Sequence, residues 1–128
     1  MKERILQEIA LLKGKYPNLQ HGENHDWIMI SDYALPEGYN RKATRVLFLI
    51  PPTYPHTPPD NFYVDSGLKF GNGNPLTNYG EGSAIPFGGA WGRFSWHPEE
   101  WQSAPDVKSG DNLLTFVRSI SIRLREMI

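Results

Sequence analysis

VLFLIPPTYPHTPPDNFYV, residues 46–64, sets two apolar runs on either side of a proline loop. The first run is continuous and is stopped by Pro51 and Pro52, while the second is short and ends in a turn signal, Ser66-Gly67. Runs of this length rich in Val, Ile, Phe and Tyr read as strands. Proline fixes φ and removes a backbone donor, so PPTYPHTPP can cross between two strands without leaving orphan amides. Working outward, DWIMISDY (residues 26–33) is a third strand, and a weaker one precedes it within residues 15–21. LPEGYN (residues 35–40) is turn chemistry. Successive short strands with tight connections predict an antiparallel four-stranded meander.

A helix flanks the meander at each end. Ile5, Ile9 and Leu12 recur at helical spacing, with Lys2, Glu3, Arg4, Glu8 and Lys13 assigned to the opposite face. Gly14 and Pro17 end this helix. In the last segment Leu113, Val117, Ile120 and Leu124 follow steps of four, three and four. Ser109 or Asp111 is placed to cap its start, and Arg118, Arg123 and Arg125 populate its later turns, where cations are favoured. Residues 68–108, with NGNP, GEGS, FGG and WHPEEW, show no clear periodicity and read as a long irregular segment. The expected class is α+β: helices on one face or at the ends of an antiparallel sheet.

The 128 residues suit one domain, residues 1–128. Thirteen basic and 14 acidic side chains leave a net charge of −1, without the basic excess of a nucleic-acid binder. No apolar run approaches the roughly 20 residues that span a bilayer, and the first residues lack a signal-peptide core, so a cytoplasmic protein without membrane contact is expected. His21 and His25 lie in the polar turn HGENH without a carboxylate-rich partner set, and no phosphate-cradling glycine motif occurs. Neither a metal nor a nucleotide cofactor is expected. Tyr39, Tyr54 and Tyr63 read as packing residues with their hydroxyls reaching the surface. Trp27 reads as core, Trp101 as packed under the last helix and Trp96 as more exposed.

Four stretches together resemble one family. They are LPEGYN, the proline loop with its two strands, GRFSWHPEEW (residues 92–101) and DNLLTFVRSISIRL (residues 111–124). The Y-P-x-x-P-P loop resembles that of the ubiquitin-conjugating (E2) superfamily, and the set as a whole is similar to prokaryotic E2 family E. That family's tryptophan-serine-arginine-histidine element reads here as Phe94, Ser95, Trp96 and His97, with Trp101 in its place. The resemblance implies a UBC-like fold without the last helices of eukaryotic E2s, since the sequence stops at Ile128. It also implies an E1-like adenylating enzyme, a ubiquitin-like protein and a JAB-type peptidase of the same operon as partners. Any ATP step belongs to the E1-like partner.

Ordinary E2s carry the modifier as a thioester on cysteine, and this chain has none. Two readings follow. In the first, a serine carries the modifier as an oxyester. A serine hydroxyl needs a base within hydrogen-bond reach, and Ser95 has His97 two residues on, where extended chain puts both on one side. Asp106, Glu99 or Glu100 is a candidate to orient the imidazole. Ser83, in the glycine-rich GEGS, is the rival nucleophile. Asn72, Asn74, Asn78 or backbone amides are candidate oxyanion donors, and Arg93 is a candidate for the charge role of the family's arginine, replaced here by Trp96. In the second reading the domain is a non-catalytic variant that binds the ubiquitin-like protein or the E1-like partner. Tyr54, Pro55, Pro58, Pro59, Trp96 and Trp101 then shape a binding surface, since aromatic anchors commonly dominate interfaces. A serine hydrolase would need a G-x-S-x-G elbow, which GEGSA lacks.

Overall fold

Helical spacing puts Ile5, Ile9 and Leu12 on one side of the first helix, and the computed structural model buries that side. The structure describes residues 2–84, 88–98 and 100–127. The helix, α1, spans Lys2–Lys15, and β1 follows at Gln20–His21. The meander continues through β2 (Trp27–Ala34), β3 (Ala43–Leu49) and β4 (Phe62–Asp65). Helix α2 spans Leu113–Glu126. The α+β class and its order of elements follow the sequence reading.

Among the described residues the sheet has six strands rather than four. Two more, β5 (Tyr79–Ala84) and β6 (Gly88–Phe94), lie inside the stretch read as irregular. The order is β1-β2-β3-β4-β6-β5, antiparallel throughout, so β6 adds to the meander and β5 forms an edge. Glycine stands at positions 80, 82, 88, 89 and 92 of this hairpin. It erases the polar–apolar alternation by which a strand is recognised.

Alternation in the central strands explains the layering. Ile28, Ile30, Val46, Phe48, Phe62, Val64 and Phe94 turn inward and form one core with Ile9, Leu12, Phe116, Ile120 and Leu124 of the helices. Both helices therefore cover the same sheet face. Residues between those positions form a second cluster on the outer face, where Trp27, Met29 and Tyr63 pack on buried Leu47 and Trp91. Trp27 thus packs on the outer face rather than in the main core.

Glu8 is the main correction to the helix reading. It follows Ile5 by three residues, which puts it on the buried side, and its carboxylate is fully enclosed. It takes hydrogen bonds from Arg4 Nε at 2.8 Å, the Leu113 amide at 2.6 Å and the Tyr54 hydroxyl. One side chain thereby ties α1 to the proline loop and to the first amide of α2, where the helix dipole favours an anion. Asn112 caps α2, its side-chain oxygen accepting from the Thr115 amide at 2.9 Å while Thr115 Oγ1 accepts from the Asn112 amide at 2.9 Å. Asp111 and Ser109 do not cap, because Asp111 takes the Gln102 amide at 2.7 Å and Ser109 donates to Asp106 at 2.9 Å.

The hydroxyls of Tyr33, Tyr39 and Tyr54 stay inside. Tyr33 donates to the Val117 carbonyl at 2.9 Å and Tyr39 to that of Leu124 at 2.7 Å, pinning β2 and the LPEGYN turn to α2. Gly38 makes that turn with φ of 114°, a conformation L side chains rarely adopt. Burial pushes the Tyr33 hydroxyl up to about 12. Burial and the adjacent Glu8 carboxylate push Tyr54 far above the usual tyrosine range. Among the described residues no helix is long and apolar enough to cross a membrane.

Candidate active site

β6 ends at Phe94, which is buried, stacked on Phe62 at 4.8 Å and edge-on to Tyr79 at 5.0 Å. The chain then emerges, so Ser95 is exposed one residue beyond a fixed anchor. Two asparagines in the left-handed region hold the emerging segment. Asn78, at φ 52°, offers its carbonyl to the Ser95 amide at 2.8 Å. Asn61, at φ 62°, receives the Trp96 amide on its side-chain oxygen at 3.0 Å and donates its own amide to the Trp96 carbonyl. Asparagine tolerates that backbone region better than other non-glycine residues. The serine is thus presented on braced backbone, and the amides of Ser95 and Trp96 are both engaged.

Ser95 borders an open hollow of about 600 Å³ lined also by Tyr63, Asn78, Tyr79, Arg93 and the strand β5. Of the oxyanion-donor candidates, Asn78 lies in this hollow. Asn72 and Asn74 line a different one, beside Phe70 and Met127. Arg93 is exposed and makes no ion pair among the described residues. Tyr79 is pushed above the usual tyrosine range by burial and by its hydrogen bond to Glu81.

His97 is exposed, and its Nδ1 lies 3.7 Å from Asp60 Oδ1. Among the described residues no hydrogen bond joins Ser95 to His97. Asp60 is the carboxylate that the sequence reading missed. Asp60 is far from His97 along the chain and arrives from the end of the proline loop. Asp106 is engaged by the Lys108 amide at 3.0 Å and by Ser109, and these hydrogen bonds hold its carboxyl below the usual range. Glu100 is exposed, and Glu99 lies outside the described residues. Ser83 belongs to β5, with its side chain outside the described part.

Both tryptophans pack half-buried on the core. Trp96 is half-buried against the core, with the Arg123 guanidinium of α2 5.8 Å from its ring centroid and Nε1 enclosed without a hydrogen-bond partner among the described residues. Trp101 instead clasps the proline loop. Its indole N–H donates to the Pro55 carbonyl at 2.8 Å and its ring lies 6.1 Å from that of Tyr54. A loop poor in amides still presents carbonyls that need donors, and the indole N–H supplies one. Within the surface set, Tyr54, Pro55 and Pro59 are buried, while Pro58, Trp96 and Trp101 are half-buried. His21 and His25 stack at 5.0 Å. Among the described residues no group of three or more potential ligands gathers as a metal site.

Comparison with known proteins supplies a family. The sequence model of a family described as Prokaryotic E2 family E matches residues 5–127, essentially the whole chain. No curated protein and no solved structure matches.

Proposed function

Because the chain belongs to prokaryotic E2 family E, we propose that it accepts a ubiquitin-like modifier from an E1-like partner as an oxyester on Ser95 and passes it to a target amine. The observation that carries this reading is the presentation of Ser95. It is an exposed hydroxyl on a segment braced by Asn61 and Asn78, opening onto a hollow that holds Arg93 and Asn78. A cysteine-free chain can carry no thioester of its own.

In the proposed step Ser95 Oγ attacks the carbonyl carbon of the modifier's thioester with the E1-like enzyme. The ester C–O bond forms, the C–S bond breaks and the thiolate departs. His97 takes the hydroxyl proton and returns it to the leaving sulfur, while Asp60 holds the imidazolium through Nδ1. Charge developing on the carbonyl oxygen falls to Asn78 and Arg93 side chains, since the nearby backbone amides are engaged. A second step transfers the acyl group to an amine and restores the serine. A JAB-type peptidase that removes the modifier completes the proposed set of partners.

One observation favours a second reading, a non-catalytic variant that binds the modifier or the E1-like enzyme: His97 pairs with Asp60 and not with Ser95. The two part under one experiment. The protein is incubated with the E1-like enzyme, ATP and the modifier, and products are separated with and without thiol reductant and hydroxylamine. An adduct that survives reductant and is lost to hydroxylamine supports the ester. A charged E1-like enzyme with no adduct on this protein rejects it.

A further inference from the structure

β5 is a free edge of the sheet: β6 pairs with it on one side, and among the described residues no strand pairs with the other. The Ser95 amide bonds to the Asn78 carbonyl, so by alternation Asn78, Gly80 and Gly82 turn their main-chain groups toward β6. Tyr79 and Glu81 turn theirs outward. Such an edge is a template for another strand, and proteins guard it with a very short strand, lysine, proline or an exposed charge. The opposite edge, β1, has only two residues. β5 has six and holds no lysine, arginine or proline. Its one charge is turned aside, since Glu81 accepts from the Gly67 amide at 3.1 Å and from the Tyr79 hydroxyl. A register shift after Gly82 leaves Tyr79 to Gly82 as the regular part of the edge. Gly80 and Gly82 lie opposite Arg93 and Trp91, on the outer face, where a Cβ would meet nothing within 4 Å, and neither has a positive φ. Nothing inside the chain calls for glycine there, whereas close approach by another backbone does.

We propose that a second copy of this chain pairs with β5 along this edge, antiparallel, with Gly80 facing Gly80 across a two-fold axis. The strand's own residues select the occupant and the register. With Gly80 on the axis, each Tyr79 stands opposite Glu81 of the second copy, a hydroxyl donor against a carboxylate, and the two residues exchange both main-chain hydrogen bonds. Moving the axis by one residue sets Glu81 against Glu81, and like charges directly opposite are destabilising. On the outer face glycine meets glycine at the axis, so no side chain holds the strands apart. The two sheets become one, as a self-complementary two-fold contact requires. Both Ser95 residues then open on the same side of it, about 20 Å apart by strand rise and strand spacing. The pairing stands independently of the oxyester reading.

The chain has no cysteine, so single cysteines report the register. At the axis the two Gly80 residues form a non-hydrogen-bonded pair with Cα atoms about 4.5 Å apart, within disulfide range. Gly82 lies about 14 Å from Gly82 of the second copy, far outside it. Under mild oxidation Gly80→Cys is expected to give a disulfide-linked dimer at least about tenfold faster than Gly82→Cys, whose surroundings are equally open. Sedimentation equilibrium of the native full chain should show monomer passing to dimer as concentration rises toward about 1 mM, with the Tyr79 and Glu81 amides gaining protection from hydrogen exchange. Gly80→Lys sets two like charges at the axis. It should stay monomeric over the same range and, when dilute, melt as the native protein does. Equal oxidation of the two cysteine variants, or dimers of Gly80→Lys, overturn the proposal. A native chain still monomeric at about 1 mM overturns it too, and leaves the edge to a strand of another protein.

Discussion

Replacing Glu8 with alanine should cost more than any other single truncation on α1. The Glu8 carboxylate is fully enclosed and accepts from Arg4, Leu113 and Tyr54. Alanine would leave the Arg4 guanidinium, whose side chain is only 14% exposed, without its anion. It would also orphan the Tyr54 hydroxyl and the first amide of α2. Removing one partner of a buried ion pair costs about 3–5 kcal/mol. Arg4 keeps a route to solvent and a bond to the Ala104 carbonyl, so about 4 kcal/mol is the expected loss. In a domain of this size that lowers the melting temperature by roughly 10–20 °C. Denaturant titration followed by circular dichroism is the assay, with the midpoint falling at unchanged slope. A cycle with Tyr54→Phe should show coupling of about 1–3 kcal/mol, since the two groups share one network. A loss below about 1 kcal/mol for Glu8→Ala would refute the reasoning, because a solvated glutamate costs that little.

Two further expectations concern the sheet and the site. Burial alone would raise Asp65, but the Arg45 amide and guanidinium, with Arg41 beyond, outweigh it and hold the carboxyl below its usual range. Its stabilising effect is therefore complete above the unfolded value of about 3.9 and is lost as pH falls through the lower folded value. Acid titration of Asp65→Asn should show a shallower loss of stability below about pH 4 than the native protein. Asn61→Gly, which keeps the left-handed backbone and removes the bond to the Trp96 amide, should lose about 1–3 kcal/mol. Asn61→Ala should lose about 1–2 kcal/mol more, from the Cβ in that backbone region. Equal melting temperatures for the two variants would show that the backbone conformation contributes nothing.

Periodicity made the helices and the central strands legible, because Ile9, Leu12, Val117 and Leu124, or Val46, Phe48 and Phe62, repeat as their elements require. The β5–β6 hairpin was not legible, since YGEGSA and GGAWGRF lack alternation. Its strands become visible only through their partners. Glu8 was misread because a charge inside an apolar stripe looks like solvent face until its three donors arrive from elsewhere. Ser95 is singled out as a candidate by its neighbours and by the family element. The bracing of its backbone was not legible, because Asn61 and Asn78 reach it across the sheet. Asp60 belongs to the same class: the proline loop delivers it to His97.

The claim that Ser95 carries the modifier is tested most directly by changing the atom that would bear it. Ser95→Ala and Ser95→Cys proteins are each incubated with the E1-like enzyme, ATP and the modifier, and the adduct is challenged with thiol reductant. The account predicts no adduct on the alanine variant and, on the cysteine variant, an adduct that reductant now releases, because the ester has become a thioester. An adduct on Ser95→Ala, or one on Ser95→Cys that still resists reductant, would contradict it.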